Sequence, residues 1–381
     1  MSRFDQPVVV GAGPVGLAVA LFLARQGLVP RVVERRGEPS QHSKALAVNP
    51  RTLEILEPTG LTQPMLDLGL PIHGVRFYRG ERVLAAFSLA GIHPTYPFML
   101  ALSQASTEGL LAGALEGVGG RVERSVEMVG CRALSDRVEV ALEPSAGGPG
   151  ETVQCPWLLA ADGAHSLARQ QLGVDFPGST FAREWHLADA PLRTGLAPDH
   201  AHIFFLPGGA FIFMLRVVND ARQEPIDAPL WRVLGNRPEP LSWLVQAEQC
   251  GEPVWTSSFH ISHRLAATMA AGGVYFAGDA AHIHSPVGAR GMNLGLEDAW
   301  VFSELVRTNR LSDYDRLRRP VDRQVVRQVE LLSRIVSAES LLTRFFRTFL
   351  FPRVINIPFL RARMVPIVTG LDHELPDFHN T

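Results

Sequence analysis

Residues 273–306, GVYFAGDAAHIHSPVGARGMNLGLEDAWVFSELV, hold the densest set of groups able to do chemistry. An apolar run at 274–277 reads as a buried strand, and Gly278 and Asp279 stand where it would end. A loop with Pro286, Gly288 and Gly291 follows. From Met292 the apolar residues recur at helical spacing, at Leu294, Ala299, Phe302, Leu305 and Val306. A carboxylate at a strand tip suits ligand hydroxyls. Glycines admit a flat ligand without Cβ interference. A helix start offers unpaired N–H groups and partial positive charge to an anion or to a ring that gains electrons. Asp279, Pro286, Gly288, Gly291, Met292 and Asn293 are therefore one candidate binding stretch.

A second stretch lies near the N-terminus. A β-branched run at 7–10 leads into Gly11-Ala12-Gly13-Pro14-Val15-Gly16, then helical spacing over 17–26, a stop at Gly27, and a second strand at 31–33 ended by Glu34. This is a βαβ pattern with GxGxxG at its first turn. Gly11 makes the turn, Gly13 admits a pyrophosphate, and Gly16 lets helix and strand pack closely. A carboxylate at Glu34 can take ribose hydroxyls and would repel a 2′-phosphate, so the nucleotide is FAD or NAD. A third acid-and-glycine tip closes a buried strand at 157–160, in Ala161-Asp162-Gly163-Ala164-His165-Ser166.

These tips need elements to position them. Residues 103–115 read as a helix with Gln104 at its start. Residues 178–259 change character: Phe and Trp spread over β-like runs at 202–206, 210–216 and 254–260 predict a mostly antiparallel sheet, with residues 225–240 as a loop-rich insert. Residues 307–360 read as helical, interrupted near Pro320, Pro352 and Pro358. The chain of 381 residues, 46% hydrophobic and 19% charged, is ordinary for a globular protein, and its net charge of −2 gives no field for nucleic acid. Lys44 is the single lysine. Cys131, Cys155 and Cys250 form no paired framework, which fits a reducing, cytoplasmic setting. No leader segment and no membrane span is expected.

GAGPVGL at 11–17, AADGAHS at 160–166 and GDAAHIHSPVGARGMNLGLEDA at 278–299, in this order, resemble the single-component FAD-dependent aromatic hydroxylases, the p-hydroxybenzoate hydroxylase-like group A flavoprotein monooxygenases. The resemblance implies an α/β fold: a Rossmann-like FAD-binding domain (1–73, 98–178 and 260–318), an inserted β-sheet substrate domain (74–97 and 179–259) and C-terminal helices (319–381). It implies that Gly11, Gly13 and Gly16 hold the FAD pyrophosphate. Glu34, with Arg35 beside it, would bind the adenosine ribose. Lys44 stands where the family has an arginine, keeping the charge without the bidentate fork. Gln104 would contact the diphosphate–ribityl region, Asp162 both FAD and NAD(P)H, and Asp279 the ribityl or phosphate part. Pro286, Gly288, Gly291, Met292 and Asn293 would lie along the isoalloxazine. After Asp298-Ala299 the family often has Asn-Leu; Trp300-Val301 follow here.

The implied reaction is hydroxylation of an aromatic or polycyclic phenolic, polyketide-like substrate with O2 and NAD(P)H as transient co-substrate, through a flavin C4a-hydroperoxide. The alternative is an FAD-dependent reductase or dehydrogenase of the same fold that inserts no oxygen. No metal is expected, since the pair His282 and His284 has no carboxylate or cysteine at ligand spacing. The flavin carries the chemistry, so no side chain is an obligatory acid or base. His186, His202, His260, His282 and His284 are the candidates for deprotonating a phenol. Phe204, Phe205, Phe211 and Phe213 are candidate pocket walls, of which alternation admits half; Phe205 and Phe213, with Pro286, are the expected substrate contacts. The basic aromatic run from Arg344 to Phe351 is expected to pack on the FAD domain or across a homodimer rather than on a membrane.

Overall fold

The computed structural model describes residues 6–40, 45–218, 228–244, 246–337 and 357–378. Lys44 and the basic run from Arg344 to Arg353 lie outside the described residues. The chain is α/β. Strand β1 (Val8–Val10), helix α1 (Pro14–Arg25) and strand β2 (Arg31–Glu34) form the first crossover, with β1 and β2 parallel and Val10 opposite Val33. They belong to a six-stranded sheet ordered Ala270–Ala271, Val274–Phe276, Leu158–Ala160, β1, β2, Val122–Arg124. All its pairs are parallel except the outermost one at Ala270–Ala271. Val8, Val9 and Val10 are buried on both faces, as parallel strands covered by helices must be. The chain leaves β1 toward β2 on one side and returns to Leu158–Ala160 on the other. That reversal opens a crevice beyond the carboxyl ends of the strands.

A nine-stranded sheet stands over this crevice. Its order is His282–Ile283, Trp255–Leu265, Gly178–Thr194, Leu230–Gly235, Phe211–Arg216, His200–Phe205, Gly74–Arg79, Arg82–Ser88, with Ala247–Gln249 paired to Gly178–Thr194. The pairing is antiparallel except between His200–Phe205 and Gly74–Arg79. Both faces are apolar. One carries Trp185, Leu187, Phe211 and Leu234; the other carries Tyr78, Phe204, Met214 and Trp231.

Two expectations need correction. Within the expected loop-rich insert, Leu230–Gly235 is a wholly buried central strand. Arg232 breaks its apolar run, and the partner that makes Arg232 tolerable there, Asp189, lies 43 residues away. Pro320 does not interrupt the long helix Tyr314–Ser337. Proline removes one helical hydrogen bond, but Arg318 and Asp322 on either side are buried and bonded to each other, which holds the helix across it. Among the described residues no helix is long and apolar enough to cross a membrane.

Glycines set the closest approaches. A Cβ on Gly16 would lie 1.9 Å from the Gly11 carbonyl oxygen, so α1 can meet its own turn only without one. Val15 sits between two further glycines: a Cβ on Gly278 would be 2.8 Å and one on Gly295 2.5 Å from its Cγ2. Gly295 belongs to the helix Arg290–Arg307, hereafter the loop helix. Gly16→Ala is expected to lower unfolding free energy by about 1–3 kcal/mol, the usual cost of overpacking. Urea denaturation checks this, and a variant as stable as the parent would mean that α1 slides away freely.

Candidate functional site

A cavity of about 1140 Å³ runs from the first glycine turn to the inner face of the nine-stranded sheet. Its polar end is lined by Gly11, Gly13, Glu34, Arg35, Gln104, Glu108 and Asp162. The Glu34 carboxylate accepts the Ala12 N–H at 2.8 Å and the Arg36 N–H at 3.0 Å, which turns it back over the glycine turn. Gln104 and Glu108 lie one turn apart on the helix Gln104–Gly117, and the Gln104 amide donates to Glu108 at 2.8 Å. Burial pushes the Glu108 carboxyl above the ordinary range, and Gln104 pulls it partly back. Asp162 is also raised by burial. Its Oδ2 accepts the Leu167 N–H at 2.9 Å, while Oδ1 is buried with no partner.

The helix ends are informative. The helices starting at Pro50, Gln104 and Leu167 are capped by the side chains of Asn49, Ser103 and Ser166. α1 after Gly13 and the loop helix after Ala289, whose starts also border the cavity, have no side-chain cap. Their first N–H groups therefore have no side-chain acceptor from the helix N-cap. Asp279, Pro286, Gly288, Gly291 and Met292 line the same passage. Gly288 has φ +76° and Ala289 φ +52°, the left-handed turn that aims the loop helix.

The far end is apolar. Ile203, Phe211, Phe213, Leu215, Leu187 and Trp185 line it, with Val365 and Val368 from the C-terminal helix Pro358–Thr369. Phe213 is on the wall. Phe205 has the right face but not the right place: it is stacked on Phe77, 5.9 Å between ring centroids, and Phe77 takes the wall position. Phe204 faces the opposite side. Asn293 does not face the cavity with its side chain. It is fully buried, accepting from Asn49 N and Thr52 Oγ1 and donating to Ala47 O and Ala289 O, so it clasps the loop to the chain at 47–52. Gly16 lies behind the wall, at the helix–strand contact.

Of the five candidate histidines, His260 and His284 line the cavity. His284 is neutral, since burial holds it down to about 3, and its Nδ1 donates to Ser285 O at 2.9 Å. His202 is neutral for the same reason, at about 4. It is locked between Tyr78 Oη and Ala197 O on the far face of the sheet. His282 is committed below the loop, with Nε2 2.7 Å from Asp298 Oδ2. Asp298 also accepts the Gly278 N–H and the Arg318 guanidinium, and Arg318 reaches Asp322 and Glu297. His282, Asp298 and Asp322 converge closely enough to hold a cation. Arg318, equally buried, already supplies that positive charge. The network continues to the tail: His373 bonds Glu297 at 2.6 Å, and Arg290 pairs with Asp372 at 2.8 Å.

A family model for an FAD binding domain matches residues 6–329. The chain belongs to this FAD-binding family. It is 34% identical over 317 residues to 6-methylpretetramide 4-monooxygenase of Streptomyces rimosus, covering 79% of this chain and 56% of that protein. The chain thus spans little more than half of that relative's length. The solved structure of p-nitrophenol 4-monooxygenase from Pseudomonas putida DLL-E4 superposes with a TM-score of 0.83, covering 97% of this chain and 99% of that one. Its identity of 21% makes that likeness one of fold. The anhydrotetracycline hydroxylase of Streptomyces rimosus superposes with a TM-score of 0.76 at 25% identity, covering 97% and 77%.

Sequence reasoning did not reach two features of this structure. The Arg232–Asp189 pair joins residues on different strands and carries no local signal. The network around Arg318 was hidden among the many charges of the helix Tyr314–Ser337, with no local signal that these were the buried ones. It has a pH signature. Burial lowers the His282 pKa, but Asp298 and Asp322 outweigh it and raise it from 6.5 to about 9. A raised base stabilises the fold fully below its unfolded pKa and loses that contribution as pH rises through the folded one. Wild-type stability is expected to fall by a few kcal/mol between about pH 6.5 and 9, because each tenfold gain in proton affinity on folding is worth roughly 1.4 kcal/mol. His282→Gln is expected to flatten that slope. Denaturant titrations at a series of pH values check it, and parallel profiles for the two proteins would refute it.

Proposed function

We propose that this chain is an NAD(P)H-dependent FAD monooxygenase that hydroxylates an aromatic or polycyclic phenolic substrate. The observation that carries this reading is one continuous cavity joining two uncapped helix starts to an apolar, aromatic-walled chamber. The residues fit FAD. The α1 start with Gly11 and Gly13 would take the pyrophosphate. Glu34 and Arg35 would take the ribose, with Gln104 and Asp162 along the chain between. The orphaned Asp162 Oδ1 needs a donor, and a ligand hydroxyl supplies one. Asp279 would hold the ribityl part. Pro286, Gly288, Gly291 and Met292 would border the ring, with the N–H groups of the loop helix directed at it.

Bound there, FAD would supply the hydride-accepting and O2-activating chemistry. One oxygen atom enters the substrate ring, the other leaves as water, and NAD(P)H supplies the two electrons. The protein's own part is to orient and to keep water out. The apolar wall formed by Phe211, Phe213, Leu215 and Val365 does the second. His284, held neutral beside Gly291, is a hydrogen-bonding neighbour that adds no charge. Relatives named as monooxygenases of 6-methylpretetramide, pentachlorophenol and anhydrotetracycline support an oxygen-bearing aromatic substrate. A cytoplasmic location suits three cysteines that are all free thiols.

The holoprotein is expected to consume NADH or NADPH faster when phenols are added, with one atom of labelled O2 appearing in the product by mass spectrometry. Consumption without label would mean reduction without oxygen insertion, and no consumption across the panel would end the reading. Asp279→Ala is expected to lose most of its flavin. The purified variant should be colourless, and full yellow occupancy would remove Asp279 from the site.

A further inference from the structure

The polar end of the cavity holds an acid that the chain leaves without a counter-charge. Glu108 stands one turn into the helix Gln104–Gly117, which packs on α1. A Cβ on Gly13 would lie 4.0 Å from Glu108 Oε1, so the carboxyl faces the glycine turn and the start of α1. The residue is only 9% exposed, yet it lines the cavity. Among the described residues its one hydrogen-bond partner is the Gln104 amide, which donates to Oε1 at 2.8 Å, and no cationic side chain pairs with it. Glu34, on the other side of the turn, is by contrast held by two backbone N–H groups. The charged groups that act on Glu108 are Glu34 and Arg36 at the end of β2 and Arg124 at the end of the strand Val122–Arg124. α1 brings no charged side chain before Arg25. Burial, the largest effect, and Glu34 favour the protonated carboxyl. Gln104, Arg36 and Arg124 oppose them, and the balance is a raised pKa.

We infer that Glu108 is a further cofactor-binding residue, which enters the complex protonated and donates a hydrogen bond to the FAD diphosphate, so that flavin binding takes up one proton from water. This rests on the FAD reading of the same turn. A diphosphate at the α1 start brings negative charge to the place that the carboxyl faces. Two anions that meet in a half-dry site disfavour each other's charge, and one proton removes the conflict. A protonated carboxyl carries one O–H donor and keeps an oxygen to accept from Gln104. With Oε1 taken by Gln104, Oε2 is left to carry the proton. A ribose hydroxyl would ask for the ionised form instead, and Glu34 is the carboxylate placed for that. Binding is then strongest where Glu108 is already protonated. It weakens as pH rises above the ordinary value of 4.5, by at most about tenfold per pH unit for one proton.

The test is titration of FAD into the full chain stripped of its flavin, read by quenching of flavin fluorescence, between about pH 5 and 8, above the ordinary carboxylate range. The wild-type Kd is expected to rise about tenfold or more across that span. Glu108→Gln keeps an acceptor for Gln104 and offers the diphosphate a permanent donor. It is expected to bind with a flatter profile, and about tenfold more tightly than wild type at the upper pH. Glu108→Leu relieves the charge but supplies no donor, and is expected to bind about tenfold more weakly than Glu108→Gln. The wild type is also expected to take up a proton on binding, seen with an indicator dye in weak buffer, and Glu108→Gln to lose that uptake. Parallel pH profiles for wild type and Glu108→Gln overturn the inference. So do equal affinities of the two variants. A Glu108→Gln protein that binds FAD more weakly than wild type at the upper pH overturns it too, since the carboxylate would then be accepting from a sugar hydroxyl. A wild-type chain that binds no FAD at any pH overturns the FAD reading of the turn as well, whereas a flat wild-type profile overturns only the role of Glu108.

Discussion

Val15 holds the two glycine-rich borders of the cavity together by shape. Its methyl groups occupy the space that a Cβ on Gly278 or Gly295 would need, so α1 and the loop helix meet with almost no side chain between them. Close packing of this kind leaves no slack, because interiors are as dense as organic crystals. The contact sets where both helices begin. Those two beginnings are uncapped, and their N–H groups border the same passage. The glycine turn at Gly11, the tip at Asp279 and the left-handed turn at Ala289 make sense only once this distance is set.

Below that contact the loop is pinned by charge. Asp298 accepts from Gly278 N, His282 and Arg318 at once, and Arg318 is shared among Asp298, Asp322 and Glu297. Such a network is a weak source of net stability, since desolvating the ions offsets most of their attraction. Its geometric effect is larger. It leaves the 278–293 loop one arrangement, and through Arg290–Asp372 and His373–Glu297 it draws the tail against the loop helix. That is why Val365 and Val368, so late in the chain, become walls of the cavity.

The nine-stranded sheet contributes by simple alternation. Its outer face buries Phe204, Trp231 and Met214, and its inner face offers Phe211, Phe213 and Leu215 to the cavity. A sheet apolar on both faces can carry one ion pair only if each partner meets the other at once, and Asp189 and Arg232 are register partners. The polar end and the apolar end of the passage therefore come from two different sheets. The seam between them lies along residues 283–292.

The sequence alone determined the local chemistry: the GxGxxG turn with Glu34 at the next strand tip, the Asp162 and Asp279 tips, and the helix that follows the 286–289 turn. Each is encoded within a few residues, through glycine's freedom, strand alternation and helical spacing. The two-sided sheet was legible for the same reason. What was not legible depends on groups far apart in the chain. Phe205 and Phe213 share a face, and only packing decided that Phe77 would cover the first and leave the second open. Asn293 reads as a ring contact until the strand at 47–48 and Asn49 arrive to take its amide. Leu230–Gly235 reads as a loop because the residue that neutralises Arg232 is on another strand. Tertiary structure decided these because burial, and the partner that makes burial tolerable, are properties of the assembled interior and of no single segment.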